Sequence, residues 1–493
     1  MKAYLRRDLS PTVSHFNYPI TRFEGIDADA EESYLPMSWG SYGYNITIKN
    51  GVLKSGIGIG VARINGENIP NGISVGSRMI KGIVFSRIVK STGERDDILV
   101  ALMQNRKLYY ARFDDPVFTY SNITFDTLNV TLLNFNYNEK DCLLILGEDG
   151  QSYIFDGDNF SAIPNTPKMT HACIHNGRVY GTVSEGRNTL YFSDDLDPTN
   201  WNISLTEGGY INFPDEGGKV TGVISFNGNL FIFREYAIHR LSAFVEQSDY
   251  VLTKVFYGNN RIYFPTAAVC NDFMVFLAED GFYMLDGYKC TRILRNLAPL
   301  IGDKTYSVAC FFDHKYHVAL NIVRDDELVG DEAAPGQNRN NGMIIYDFDT
   351  KEISIMRGTD IGFFLPISLE GLNVMFLLFG SPYRGYNVGV VDDTGRLMGE
   401  PLKKLWRSPR TDFSVIDKDK VLRRIHIRAD TSLQMVAGLD KDYEFILGET
   451  DSEQMIPVNH RGNKVCITLS TDKDKFTVRG LNLEFDFVRR KYE

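Results

Sequence analysis

Eight histidines, six cysteines and a few acidic or basic clusters are the residues of this chain that could do chemistry. His171 and His175 are spaced i,i+4, which on a helix would aim two imidazoles at one metal. The stretch around them reads as a strand, where four residues span about 13 Å and a shared ion is out of reach. His314 and His317 fall on opposite faces of a regular strand, and His15, His239, His426 and His460 are isolated, so the histidines read as packed or polar side chains. The cysteines, at 142, 173, 270, 290, 310 and 466, form no C-x-x-C pair and read as buried free thiols of a reducing compartment. Cys173 shares a strand face with His171 and His175, but nothing supplies an oxyanion hole. Gly56-Ile-Gly-Ile-Gly60 resembles a phosphate-cradling loop without the strand, the helix or the Gly-Lys-Ser/Thr ending, and is expected to be a turn or bulge. Asp194–Asp197 and Asp325–Glu332 lack the ligand spacing of a calcium loop and read as solvated acidic turns. No catalytic, cofactor or metal residue is assigned. The candidate subunit or partner contacts are the basic clusters Lys403, Lys404, Trp406, Arg407 and Arg489, Arg490, Lys491, together with Asp331 and Glu332.

The elements that carry these residues are short. Apolar runs of four to seven residues are bounded by Gly, Asn or Asp, with no convincing helical window longer than about ten residues. A two-strand phrase recurs, in which an apolar strand meets a polar turn and is answered by a strand rich in Tyr, Phe or Ile. Its copies start at Ile98, Leu143, Arg178, Asn229, Phe273, Tyr316 and Val374, 35 to 58 residues apart. That spacing is the length of a four-stranded propeller blade, and radial stacking is how such small sheets bury both faces. The 32 Phe and 26 Tyr suit the wedge between twisted sheets, and the 43 Gly suit tight turns. After about residue 395 the phrase gives way to strictly alternating strands with a charged outer face, the pattern of a small antiparallel sandwich. The expected fold is all-β, a six- or seven-bladed β-propeller with a C-terminal antiparallel β-sandwich domain. Its divisions are an N-terminal arm with ring-closing strands (1–70), the propeller (71–395) and the sandwich docking domain (396–493).

At 493 residues, 43% hydrophobic and 24% charged, the chain is neither disordered nor a rod. Its net charge of −10 argues against capture of nucleic acid or an anionic membrane by the whole surface. Residues 401–493 hold 18 basic and 15 acidic residues, leaving 35 against 48 in residues 1–400, so the charge balance changes near the proposed boundary. The N-terminus lacks the apolar core of a secretory signal. The most apolar stretch, Phe363–Phe379, is too short and too polar to span a bilayer.

Two resemblances follow. Tyr191-Phe-Ser-Asp-Asp-Leu-Asp-Pro-Thr-Asn-Trp201 partly resembles the Asp-box turn of sialidase-type propellers, but the turn glycine is missing and Trp201 stands one place late. The longer run Leu190–Trp201, then Val223–Leu241, then Val275–Gly287, with Leu405-Trp-Arg-Ser408 and Phe476–Glu484 near the end, resembles propeller proteins of tailed-bacteriophage virions. These are the packaged-DNA stabilisation proteins, also called tail tubular protein B, tail hub or nozzle. The likeness covers about two-thirds of the chain and is one of rhythm. It implies a non-enzymatic structural protein of the virion tail, assembled in the host bacterial cytoplasm. Copies would form a ring, typically of six in that family, below the portal-adaptor protein, with tail fibres or a needle attached and no insertion into a membrane. Viral DNA would pass without being bound, and an acidic lumen would let it slide. Two other functions fit a propeller: a tail-tip receptor- or carbohydrate-binding module, and a sialidase-like glycoside hydrolase.

Overall fold

The computed structural model describes residues 14–489, apart from 65–66, 69–75, 90–91, 116, 185–187, 243–246, 324–339, 370, 384–385 and 449–452. Seven four-stranded antiparallel units follow one another, at 79–124, 130–162, 169–212, 220–257, 262–293, 308–357 and 361–392. We number them as blades one to seven. The first strand of each blade lies innermost, and these strands pack in succession around an axis. Ile361–Leu369 of blade seven meets Met79–Ile88 of blade one and closes the ring. The fold is therefore an all-β propeller, with seven blades among the described residues.

The second strand of each blade reads as a continuous apolar run because both its faces are interior. In blade one, Leu99, Ala101 and Met103 join the core shared with blade seven, while Ile98, Val100 and Leu102 join the core shared with blade two. One separate core fills each of the seven junctions between blades, and an eighth fills the sandwich. Aromatic rings supply the wedge: Phe155 stacks on Phe160 at 4.2 Å and meets Phe85 of blade one at 5.8 Å. Rings of this size bury far more area than aliphatic side chains and favour offset or edge contacts at such distances.

Tight turns link the first and second strands. Asn176-Gly177 and Asn227-Gly228 have positive φ at both positions (46° and 78°, 48° and 71°), the primed turn that matches strand twist. Asn138-Glu139 and Asp313-His314 do the same without glycine. Asn and Asp visit the left-handed region at least cost among residues with a side chain.

The seventh blade has only three strands from its own segment. Its fourth is Gly58–Val61, which pairs antiparallel with Tyr386–Asp392 and parallel with Arg396–Leu397. The glycine-rich run is thus a strand and not the expected turn or bulge. A side chain at Gly58 would stand 2.6 Å from the Arg396 carbonyl, so glycine is what lets the strand fit between its neighbours.

The C-terminal sandwich draws on both ends of the chain. One sheet runs Ile46–Lys49, Val52–Ser55, Thr477–Arg489, Lys418–Ala429, Glu453–Gly462, with Ser14–Ile20 alongside Thr477–Arg489. The other runs Tyr42–Tyr44, Lys404–Arg407, Cys466–Thr471, Leu433–Gly438, Asp442–Leu447. Leu483 and Ile425 face Met435 and Leu469 in the core between them. Ile46 pairs with Ile355, so the first sheet continues into the outer strand of blade six.

Candidate functional site

Burial removes two of the predicted contact residues from any surface. Lys404 is fully buried, and its ammonium donates to the carbonyls of Leu402 (2.9 Å), Lys473 (2.8 Å) and Gly395 (3.3 Å). Desolvation lowers its pKa to about 8, with the nearby Asp474 carboxylate opposing the shift. Trp406 is fully buried against the edge of Phe23, at 5.1 Å. Charge and aromatic size suggested a surface because the sequence does not reveal that Lys404–Arg407 is an inner strand, paired on both sides. Lys403 is exposed beside them and Arg407 partly so. Arg489 ends the last strand, pairing with Lys418. Arg490, Lys491, Asp331 and Glu332 lie outside the described residues.

The Asp-box-like segment is a self-contained turn. Ser193 Oγ accepts from Val179 N at 3.0 Å, Asp197 accepts from Thr199, and the indole N–H of Trp201 donates to the Pro198 carbonyl at 3.0 Å. Arg178, almost fully buried, donates to the carbonyls of Ser193 and Glu207 and holds the turn from beneath. Its polar groups are engaged in shaping the loop.

Side chains of neighbouring innermost strands interlock around the axis of the propeller. Phe264 of blade five lies over Gly222 of blade four, where any Cβ would stand 2.1 Å from the ring, and meets His171 of blade three edge-on at 4.6 Å. Lys81 of blade one donates to the Val130 carbonyl of blade two at 2.8 Å. Burial brings its pKa to about 8 and, with the charge of Lys81, that of His171 to about 3, so this imidazole is neutral at pH 7. Among the described residues no group of three or more His, Cys, Asp or Glu could hold a metal, and no helix is long and apolar enough to cross a membrane.

The surface that stands out is the turn face of blades three to five. Leu196, Ile203 and Leu205 project from the loop before the last strand of blade three, with Leu205 88% exposed. Tyr210 follows on that strand, and Val251 and Leu252 open the last strand of blade four. Gln247 donates to the carbonyls of Ser204 and Glu207, both at 2.9 Å, and ties the two blades' loops into one surface. Tyr288 of blade five, under the guanidinium of Arg240 at 4.4 Å, extends it. On the same face a cavity of about 290 Å³ is lined by Ser225, Phe226, Asn227, Val269, Asn271 and Asp272. Monomers rarely leave apolar side chains grouped in this way. The sequence signal was present but unread: Ile203-Ser-Leu205 and Val251-Leu252 sit in loop or outer-strand positions, where polar residues are the rule.

Fold and surface together define a seven-bladed propeller with a sandwich on one flank and a bare apolar turn face. Among solved structures it is similar to BamB from Moraxella catarrhalis, with 9% identity, a TM-score of 0.38, and coverage of 75% of this chain and 98% of that chain. No family model and no curated protein matches the chain.

Proposed function

We propose that this chain is a structural subunit that works by assembling with copies of itself, as the hub or nozzle proteins of bacteriophage tails that its sequence resembles do. The observation behind this reading is the bare apolar face of blades three to five, with Leu205 and Val251 at its centre. Burying such side chains is worth about 1.5–3 kcal/mol each, enough for a few of them to drive association. The sandwich, on the opposite flank, is then free to meet a portal-adaptor protein, fibres or a needle. A conduit for DNA would then lie in the bore of a ring of copies.

Size measurement by light scattering and negative-stain microscopy of the purified chain, alone and with an adaptor–portal complex, tests this. Closed rings with a central hole, or docking onto the adaptor, are expected. A chain that stays monomeric at every concentration and ignores the adaptor overturns the proposal. The cavity lined by Phe226, Asn227, Asn271 and Asp272 supports a second reading, since two amides and a carboxylate next to an aromatic ring suit a sugar. Binding of a host glycan by the monomer, lost on Asp272→Ala, would favour that reading.

A further inference from the structure

The junction of blades six and seven contains a group of side chains that packing alone does not explain. Cys310, on the innermost strand of blade six, has its sulfur 3.1 Å from the thioether sulfur of Met375 in blade seven. His317 is directly opposite Cys310 in the antiparallel ladder, so the two side chains share a face with β-carbons about 5 Å apart. That face is turned toward blade seven, because Ala319, two residues on, belongs to the core shared with it and the His317 ring lies 6.5 Å from Phe364. His317 is 4% exposed, and neither ring nitrogen has a hydrogen-bond partner. A buried imidazole normally finds a partner, since leaving one of its polar groups unpaired costs about 1–3 kcal/mol. The backbone of Phe312 opposes, without overcoming, the lowering of the His317 pKa by burial.

We propose that Cys310, Met375 and His317 form a site for a soft monovalent metal ion, Cu(I) by class. One thiolate, one thioether and one neutral imidazole are donors that select Cu(I) over hard cations. Charge supports the same choice. A single thiolate neutralises a monovalent ion, whereas a divalent ion would leave a net positive charge in an apolar core, which is costly. On binding, the sulfur of Cys310 exchanges its proton for the metal and the proton leaves to solvent; no electron is transferred. Cys310 is on the innermost strand of blade six and is only partly buried, so an ion need not cross the whole junction to reach it.

The test is competition for Cu(I) between the reduced full-length protein and a chromogenic Cu(I) chelator, with X-ray absorption at the copper edge. The wild type is expected to retain one equivalent, with sulfur and nitrogen scatterers. Cys310→Ser should weaken retention at least tenfold and Met375→Leu, which nearly conserves volume, by a smaller factor. Cys270→Ser, at the buried thiol of the neighbouring junction, should change nothing. Retention of no copper by folded wild-type protein, or equal losses in Cys310→Ser and Cys270→Ser, overturns the proposal and leaves a sulfur–sulfur packing contact. A Met375→Leu protein that folds, judged by circular dichroism, and binds as tightly as wild type also counts against it.

Discussion

Blades six and seven and blades three to five share one four-stranded plan but treat their outer edges in opposite ways. The outer strand of blade six, Ile353–Arg357, continues through Ile46 into the sandwich, and blade seven takes Gly58–Val61 from the other end of the chain. Asn45 and Tyr42 fasten this flank: Asn45 accepts from Arg357 N at 2.8 Å and donates to the Lys403 carbonyl at 2.7 Å, while the Tyr42 hydroxyl accepts from the Arg357 guanidinium at 2.6 Å. Blade four, by contrast, ends in Val251–Tyr257, seven residues long and mostly exposed, with no further strand beyond it among the described residues. The outer strands of blades two, three and five have only three or four residues, a common way of blunting an edge. The contrast teaches that edge protection is local: one flank is sealed by the chain's own ends, and the other is left available.

Breaking the sealed flank should have the largest effect. Trp406→Ala opens a cavity in the sandwich core beside Phe23 and should cost about 3–5 kcal/mol, read from the denaturant midpoint. Acid should weaken the same flank. His317 is neutral in the folded chain down to about pH 4, whereas the unfolded chain takes up that proton near pH 6.5. Its contribution is therefore fully present above pH 6.5 and is lost as pH falls toward 4, by about 3 kcal/mol at most. His317→Gln should flatten that part of the stability–pH curve; an unchanged slope would refute the assignment. Gly58→Val forces a side chain against the backbone of Arg396 and should cost about 1–3 kcal/mol, with limited proteolysis reporting a loosened blade seven.

On the bare flank the sign of the comparison reverses. Leu205→Glu with Val251→Glu removes no buried contact and should move monomer stability by no more than about 0.5 kcal/mol. The same pair should abolish self-association in light scattering. A stability loss as large as that of Trp406→Ala would mean that these side chains belong to the fold and not to an interface.

Much of the propeller was legible because a blade is a local object. Leu143–Leu146 and Met274–Ala278 read as unbroken apolar runs because each is buried on both faces, and the turns after them announce the next strand. The seven-blade count was harder, since the last blade is completed by residues more than three hundred positions upstream, and strand pairing over that distance leaves no periodicity to read. The candidate contacts fared unevenly for a similar reason. Lys404 carries the charge of a surface residue, and only the convergence of the nearby Gly395 and Leu402 carbonyls with the distant Lys473 carbonyl explains how it is buried.

By itself the sequence determined the fold class and the blade rhythm, because alternation, run length and turn residues act between near neighbours. Tertiary structure alone decided which strand closes the ring, which lysine and tryptophan lie inside, and which flank stays bare. It also decided that Cys310 and Met375 meet, with His317 opposite Cys310 in the ladder. These outcomes depend on contacts between segments far apart in the chain, whose partners no local pattern names.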